Sequence, residues 1–156
     1  MLGGAVRVTL NGIVVADDDG FGLERSALAL LRTIDQDHNA TSDRRVPTEA
    51  CSNFYVDWTV RHGAGNVHIS DARRFDALRP TEIHFEAATC VMSRAAYRNE
   101  VVQFAAQVHE AYFADGDKVI DDPDERQFFD AFWAEYDSRL VRHGDAHGPL
   151  GAEREA

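Results

Sequence analysis

Between Phe54 and Asp71 apolar residues stand at every second position: Phe54, Val56, Trp58 and Val60, then Val67 and Ile69. A repeat of two is the signature of a strand whose two faces meet different surroundings. Residues 63–66, Gly-Ala-Gly-Asn, interrupt it with turn formers, so the pattern predicts a β-hairpin with Ala64 and Gly65 at its tip. Burial selects the register. Pairing His62 with Val67, Val60 with Ile69 and Trp58 with Asp71 places the apolar set on one face. A slip of one residue would put Arg61 and His68 among them. The opposite face then carries Tyr55, Asp57, Thr59, Arg61, His68 and Ser70. Asp71 is the exception, a carboxylate at the end of the apolar side.

The rest of the chain supplies what such a hairpin needs for a core. In "VRVTLNGIVVAD" the Asn11-Gly12 pair lies between two β-rich runs and suits a type I′ turn. Leu10 then faces Ile13 and Val8 faces Val15, and "DDDGFG" is expected to break the second strand. From Leu23 the spacing changes to that of a helix, with Leu23, Ala27, Leu30, Leu31 and Ile34 on one side and an end near residues 35–38. Residues 39–53 have turn formers and no period, and read as the longest loop. "EIHFEAATCVM" alternates Ile83, Phe85, Ala87 and Val91 with His84, Glu86 and Cys90, predicting one further strand. Ser93 is a good N-cap for a helix with the stripe Tyr97, Val101, Phe104, Ala105, Val108 and Tyr112. The last helix has Asp122 to cap it, Pro123 at its first position and Glu125 where a capping box needs a carboxylate. Its buried stripe is Phe129, Phe132, Trp133, Tyr136 and Leu140, with Phe128 at the margin. The expected fold is α+β, an antiparallel sheet of about five strands in the order ββ-α-βββ-αα with helices packed on one face. Residues 1–143 form one domain in this reading, and residues 144–156 a flexible polar tail.

Composition narrows the class. The chain has 156 residues, 44% hydrophobic and 28% charged, the balance of a globular domain. No apolar run approaches the length of a membrane helix, and the N-terminus lacks the pattern of a secretory signal. A cytoplasmic protein without membrane partners is expected, with Cys51 and Cys90 as reduced thiols. Net charge is −11, with two basic against nine acidic residues in the segment 115–137. An acidic surface repels phosphate backbones, so no nucleic-acid partner is expected.

Two groups of residues are candidates for function. The polar sheet face brings forward Asp57, His68, His84 and Glu86, because histidines with carboxylates suit a metal ion or acid–base chemistry. Solvent exposure alone also produces such alternation, and His84 and Glu86 stand about 7 Å apart along a strand. The acidic segment brings forward Asp121, Asp124, Glu125, Asp130 and Asp137 as a docking surface. Asp71 with Arg73 and Arg74 suggests an ion pair at a strand end. The acidic run 17–20 lacks the alternation and length of a calcium loop, and in the run 115–125 Asp122, Asp124 and Glu125 have a structural role at a helix N-terminus. Phosphate-loop, zinc-protease and nucleophile-elbow signatures are absent.

No motif assigns an activity. In size and charge the chain resembles bacterial immunity proteins and other small accessory proteins, and no residues are transferred on that likeness. The sequence leans towards a protein-binding module without catalytic activity or cofactor, whose partner is a protein with a basic surface or a second copy of the chain. The alternative is a small enzyme or metal-binding protein using Asp57, His68, His84 and Glu86.

Overall fold

The computed structural model describes the backbone of residues 3–34, 44–45, 48–51, 54–76 and 81–155, and the side chains of residues 7–14, 22–34, 56–75 and 81–144. The fold is α+β, with antiparallel sheets and helices packed against them. In chain order the elements are β1 (Gly3–Leu10), β2 (Ile13–Gly22), α1 (Leu23–Ile34), β3 (Arg44–Arg45), β4 (Thr48–Cys51), β5 (Phe54–His62), β6 (Asn66–Asp76), β7 (Thr81–His84), β8 (Cys90–Ser93), α2 (Arg94–Tyr112) and α3 (Pro123–Glu155).

β1 and β2 form a two-stranded sheet of their own rather than joining the larger one. Asn11 and Gly12 take φ of 51° and 78°, the two left-handed residues that a type I′ turn requires, and Leu10 faces Ile13 as expected. A register shift then sets Val8 opposite Ala16 instead of Val15. β2 also continues through "DDDGFG", where a break was expected. β1 supplies ladder partners along that run, as far as Gly3 opposite Gly22, and pairing outweighs poor β propensity. α1 begins at Leu23 as the spacing predicts and buries Ala27, Leu28, Leu31 and Ile34. The expected helix end at residues 35–38 lies outside the described residues.

The second sheet is built on β5 and β6. β3 and β4 both pair with β5 from within the segment 39–53, which lacks any period and was expected to be loop. Strands of two and four residues are too short to leave an alternation in sequence. The remainder of that segment, and the side chain of Cys51, lie outside the described residues, whereas Cys90 is half-buried with a free thiol.

The hairpin register holds from His62 opposite Val67 to Thr59 opposite Ser70, and then changes. Asp57 faces Arg73, so Trp58 of β5 is opposed by two residues of β6, Asp71 and Ala72. That is a β-bulge, and Asp71 carries it with a φ of 53°. Asp71 therefore does not sit on the apolar side. It points out and is exposed, while Ala72 takes the inward position and is buried with Val56, Trp58, Val60, Val67 and Ile69.

The bulge also divides the next strand. "EIHFEAATCVM" was expected to be continuous, but β7 pairs with β6 beyond the bulge (Arg73 opposite His84) and β8 pairs before it (Ile69 opposite Cys90). Between them the chain turns, with Phe85 N–H donating to the Ala72 carbonyl and Ala88 N–H to the Phe85 carbonyl. Ile83 and Val91, expected on one face, are consequently paired with residues on opposite faces, Arg74 and His68, and both are exposed.

The helices close the core with Tyr97, Val101, Ala105 and Val108 from α2 and Trp133 and Tyr136 from α3. Ser93 Oγ accepts from Ala96 N–H, and Asp122 Oδ1 accepts from the N–H groups of Asp124 and Glu125, the two caps read from sequence. Buried polar contacts lock α1 to its neighbours. His62 Nε2 donates to the Thr33 carbonyl, and the Thr33 hydroxyl meets the Tyr97 phenol. Burial pushes that phenol up to about 12, against the lowering effect of Thr33. α3 extends to Glu155 and so includes residues read as a tail, although Gly144, Gly148, Pro149 and Gly151 are poor helix formers.

The left-handed residue at the bulge gives a direct test. Asp71→Val should be about 1–2 kcal/mol less stable than Asp71→Asn in chemical denaturation, because Asn tolerates this region and a β-branched residue does not.

Candidate functional site

The polar face of the second sheet is the first place to look. Asp57 was expected on an open, solvated face, yet Asp57 and Thr59 are both buried, so the central part of β5 is covered on both sides. A buried carboxylate needs a partner, and Arg73 provides a two-pronged one: Nε donates to Asp57 Oδ1 at 2.8 Å and Nη2 to Oδ2 at 3.1 Å. Arg73 Nη1 donates to Glu82 Oε1 at 2.9 Å, and the hydrogen bonds it donates to Asp57, with the nearby negative charges, raise the guanidinium above its already high ordinary value. His84 lies opposite Arg73 in the ladder, with Nε2 3.7 Å from Glu82 Oε1.

Of the four residues expected to converge, Asp57 and His84 fall in one ladder row, joined through Arg73 and Glu82. His68 does not join them. It pairs with Arg61 and Val91 five positions away on β6, roughly 15 Å along the strand. Glu86 stands in the turn after β7, exposed. Among the described residues no group of three metal-ligating side chains converges. Arg73, expected beside Asp71 and Arg74 at a strand end, forks onto Asp57, because the bulge moves it opposite that residue.

The five acidic residues of the other candidate are all exposed. They are spread over more than one direction. Asp130 bridges to Arg126 one turn earlier on α3, and Asp137 to His109 of α2 at 3.0 Å. Asp124 and Glu125 sit at the start of α3, where they line a hollow rather than a flat surface.

That hollow was missed by sequence reasoning. It has a volume of about 460 Å³ and lies where the first turns of α1 and α3 meet the end of α2. Tyr112, Phe128, Phe129, Phe132 and Trp133 line it, together with Ile120, and its charged groups are Glu24, Arg25, Asp124 and Glu125. A second hollow of about 450 Å³ continues from it between α1 and α3, sharing Arg25, Phe128 and Phe132 and running to Leu28, Ala29, Arg32, Ala131 and Glu135. Together they make one groove. Phe128 stands in both parts with 68% of its surface exposed. The signal in the sequence was the pair Phe128-Phe129. Neighbours on a helix point about 100° apart, and with Phe129 in the stripe Phe128 falls at its margin.

The floor of the groove is a cluster of tilted and edge-on aromatic rings. The Trp133 ring centroid lies 4.6 Å from Tyr112, 4.7 Å from Tyr136 and 5.1 Å from Phe132. Its far end is clamped by a fork: Arg32 Nε and Nη2 donate to Glu135 Oε2 and Oε1 at 2.7 and 2.6 Å, and Arg139 Nε adds a third bond at 2.8 Å. The hydrogen bond from Arg32, with that from Arg139, outweighs partial burial and lowers the Glu135 carboxyl to about 2.

Comparison with protein-family models, curated proteins and solved structures finds no significant match for this chain.

The clamp has a pH signature. Glu135 has a folded pKa near 2 against an ordinary 4.5, so its stabilisation is present above about pH 4.5 and is lost as pH falls towards 2. In thermal unfolding Glu135→Gln should lower Tm at pH 6. The gap to wild type should shrink through that window and close near pH 2.

Proposed function

We propose that the protein is a non-catalytic binding module that takes a basic, partly apolar segment of a partner protein in the groove between α1 and α3. The observation that carries this reading is Phe128, a large aromatic left 68% exposed at the centre of a groove otherwise lined by half-buried rings. Exposed aromatics in a concave apolar setting are the usual anchors of protein interfaces. The charge of the surroundings favours a basic partner. The chain carries −11 overall, and three carboxylates, Glu24, Asp124 and Glu125, line one end of the groove with Arg25, while Lys118 and Arg126 stand near its rings. Asp130 and Asp137 lie outside the groove, each beside a basic side chain of this chain, and are not part of the contact proposed.

The polar sheet face supports an enzymatic reading less well, because Asp57 is engaged with Arg73, His68 lies in another row and Glu86 stands in a turn.

Selection from a random peptide library tests the proposal. Peptides enriched on the wild-type chain should combine basic and apolar residues, bind more weakly as salt rises, and be lost on Phe128→Asp. Enrichment without basic residues, or equal binding to the variant, would overturn it. A dimer in sedimentation that Phe128→Asp dissolves would replace it with self-association through the same groove.

A further inference from the structure

We infer that the α1–α2–α3 end of the groove is a receptacle for one arginine side chain of the partner segment, a specificity that rests on the binding-module reading above. Three observations lead to it. The hollow is aromatic, with Tyr112, Phe128, Phe129, Phe132 and Trp133 around it, and aromatic faces attract cations. Carboxylates are placed at the same hollow from two helices: Asp124 and Glu125, both exposed, from the first turn of α3, and Glu24, buried and already engaged in the fold, from the first turn of α1. The rings already attract the chain's own cations, since Lys118 Nζ lies 5.5 Å from the centre of Tyr112 and the Arg126 guanidinium carbon 5.9 Å from that of Phe129.

Rings beside carboxylates suit a guanidinium better than an ammonium. A guanidinium is planar and weakly hydrated, so it stacks on a ring while its edge donates to a carboxylate. An ammonium holds its water more tightly and loses more on entering an apolar hollow. The other end of the same groove shows that forked pairing in Arg32 with Glu135. The volume, about 460 Å³, leaves room for the aliphatic stem of the arginine against Ile120 and Phe128.

The probe is N-acetyl-arginine amide, titrated into the full chain and followed through the two tryptophan indole signals in NMR. Trp133 reports on the hollow, and Trp58, buried in the sheet, is the internal reference. The Trp133 signal should shift saturably while that of Trp58 stays in place. The neutral isostere N-acetyl-citrulline amide should bind about tenfold more weakly, and so should arginine amide to the double variant Asp124→Asn, Glu125→Gln. Equal binding of citrulline amide, tighter binding of N-acetyl-lysine amide, or no Trp133 shift at all would overturn the inference. If these fail while library peptides still bind through Phe128, the binding-module reading stands without the arginine pocket. If the library selection fails as well, both fall.

Discussion

Opposite Trp58, β6 places two residues where β5 has one, and Asp71 absorbs the difference in a left-handed conformation. Much of the second sheet depends on that extra residue. Before the bulge the hairpin pairs as alternation dictates. Beyond it every β6 side chain is shifted by one relative to β5, so Ala72 enters the core in place of a carboxylate and Arg73 arrives opposite Asp57. Without the shift a charged group would face Trp58 and Asp57 would be buried opposite an alanine. Bending and added twist at a bulge also interrupt a neighbouring ladder, and β7 and β8 pair with β6 on either side of it.

The helical layer carries the other half of the structure. Its aromatic stripe is denser than one interface needs: α3 presents Phe128, Phe129, Phe132, Trp133 and Tyr136 within nine residues. Trp133 and Tyr136 are consumed by the core, Phe129 and Phe132 are half-buried, and Phe128 is left outside. α1 and α3 are held by the Arg32–Glu135 fork at one end of their contact. At the other end carboxylates crowd around the rings. The groove thus has a charged clamp at one end and an aromatic hollow at the other.

Where a local rule acted on its own residues, the sequence was readable. Asn11-Gly12 made its turn, Ser93 and Asp122 capped their helices, and the α2 and α3 stripes are buried largely as their spacing predicts. The two-residue and four-residue strands β3 and β4 were invisible, because pairing with β5 and not their own pattern makes them strands. The candidate sites fared unevenly for the same reason. Asp57 and His84 do share a row, but the residue that joins them, Arg73, is brought there by a change of register. His68 lies in a different row, and Glu86 falls in a turn that a continuous strand would not contain.

Periodicity and caps are local, and by themselves they determined the α+β class, the hairpin and its initial register, and the start of each helix. They also marked the two misfits, Asp71 on the apolar side and Phe128 beside the buried stripe. Only the tertiary structure decided what the misfits mean. A bulge is a relation between two strands, and a groove is a relation between three helices, so neither is encoded in the spacing of any one segment. Asp71 is resolved by turning outward in a left-handed residue. Phe128 is not resolved within the chain: the helices that bury its neighbours leave its own surface open.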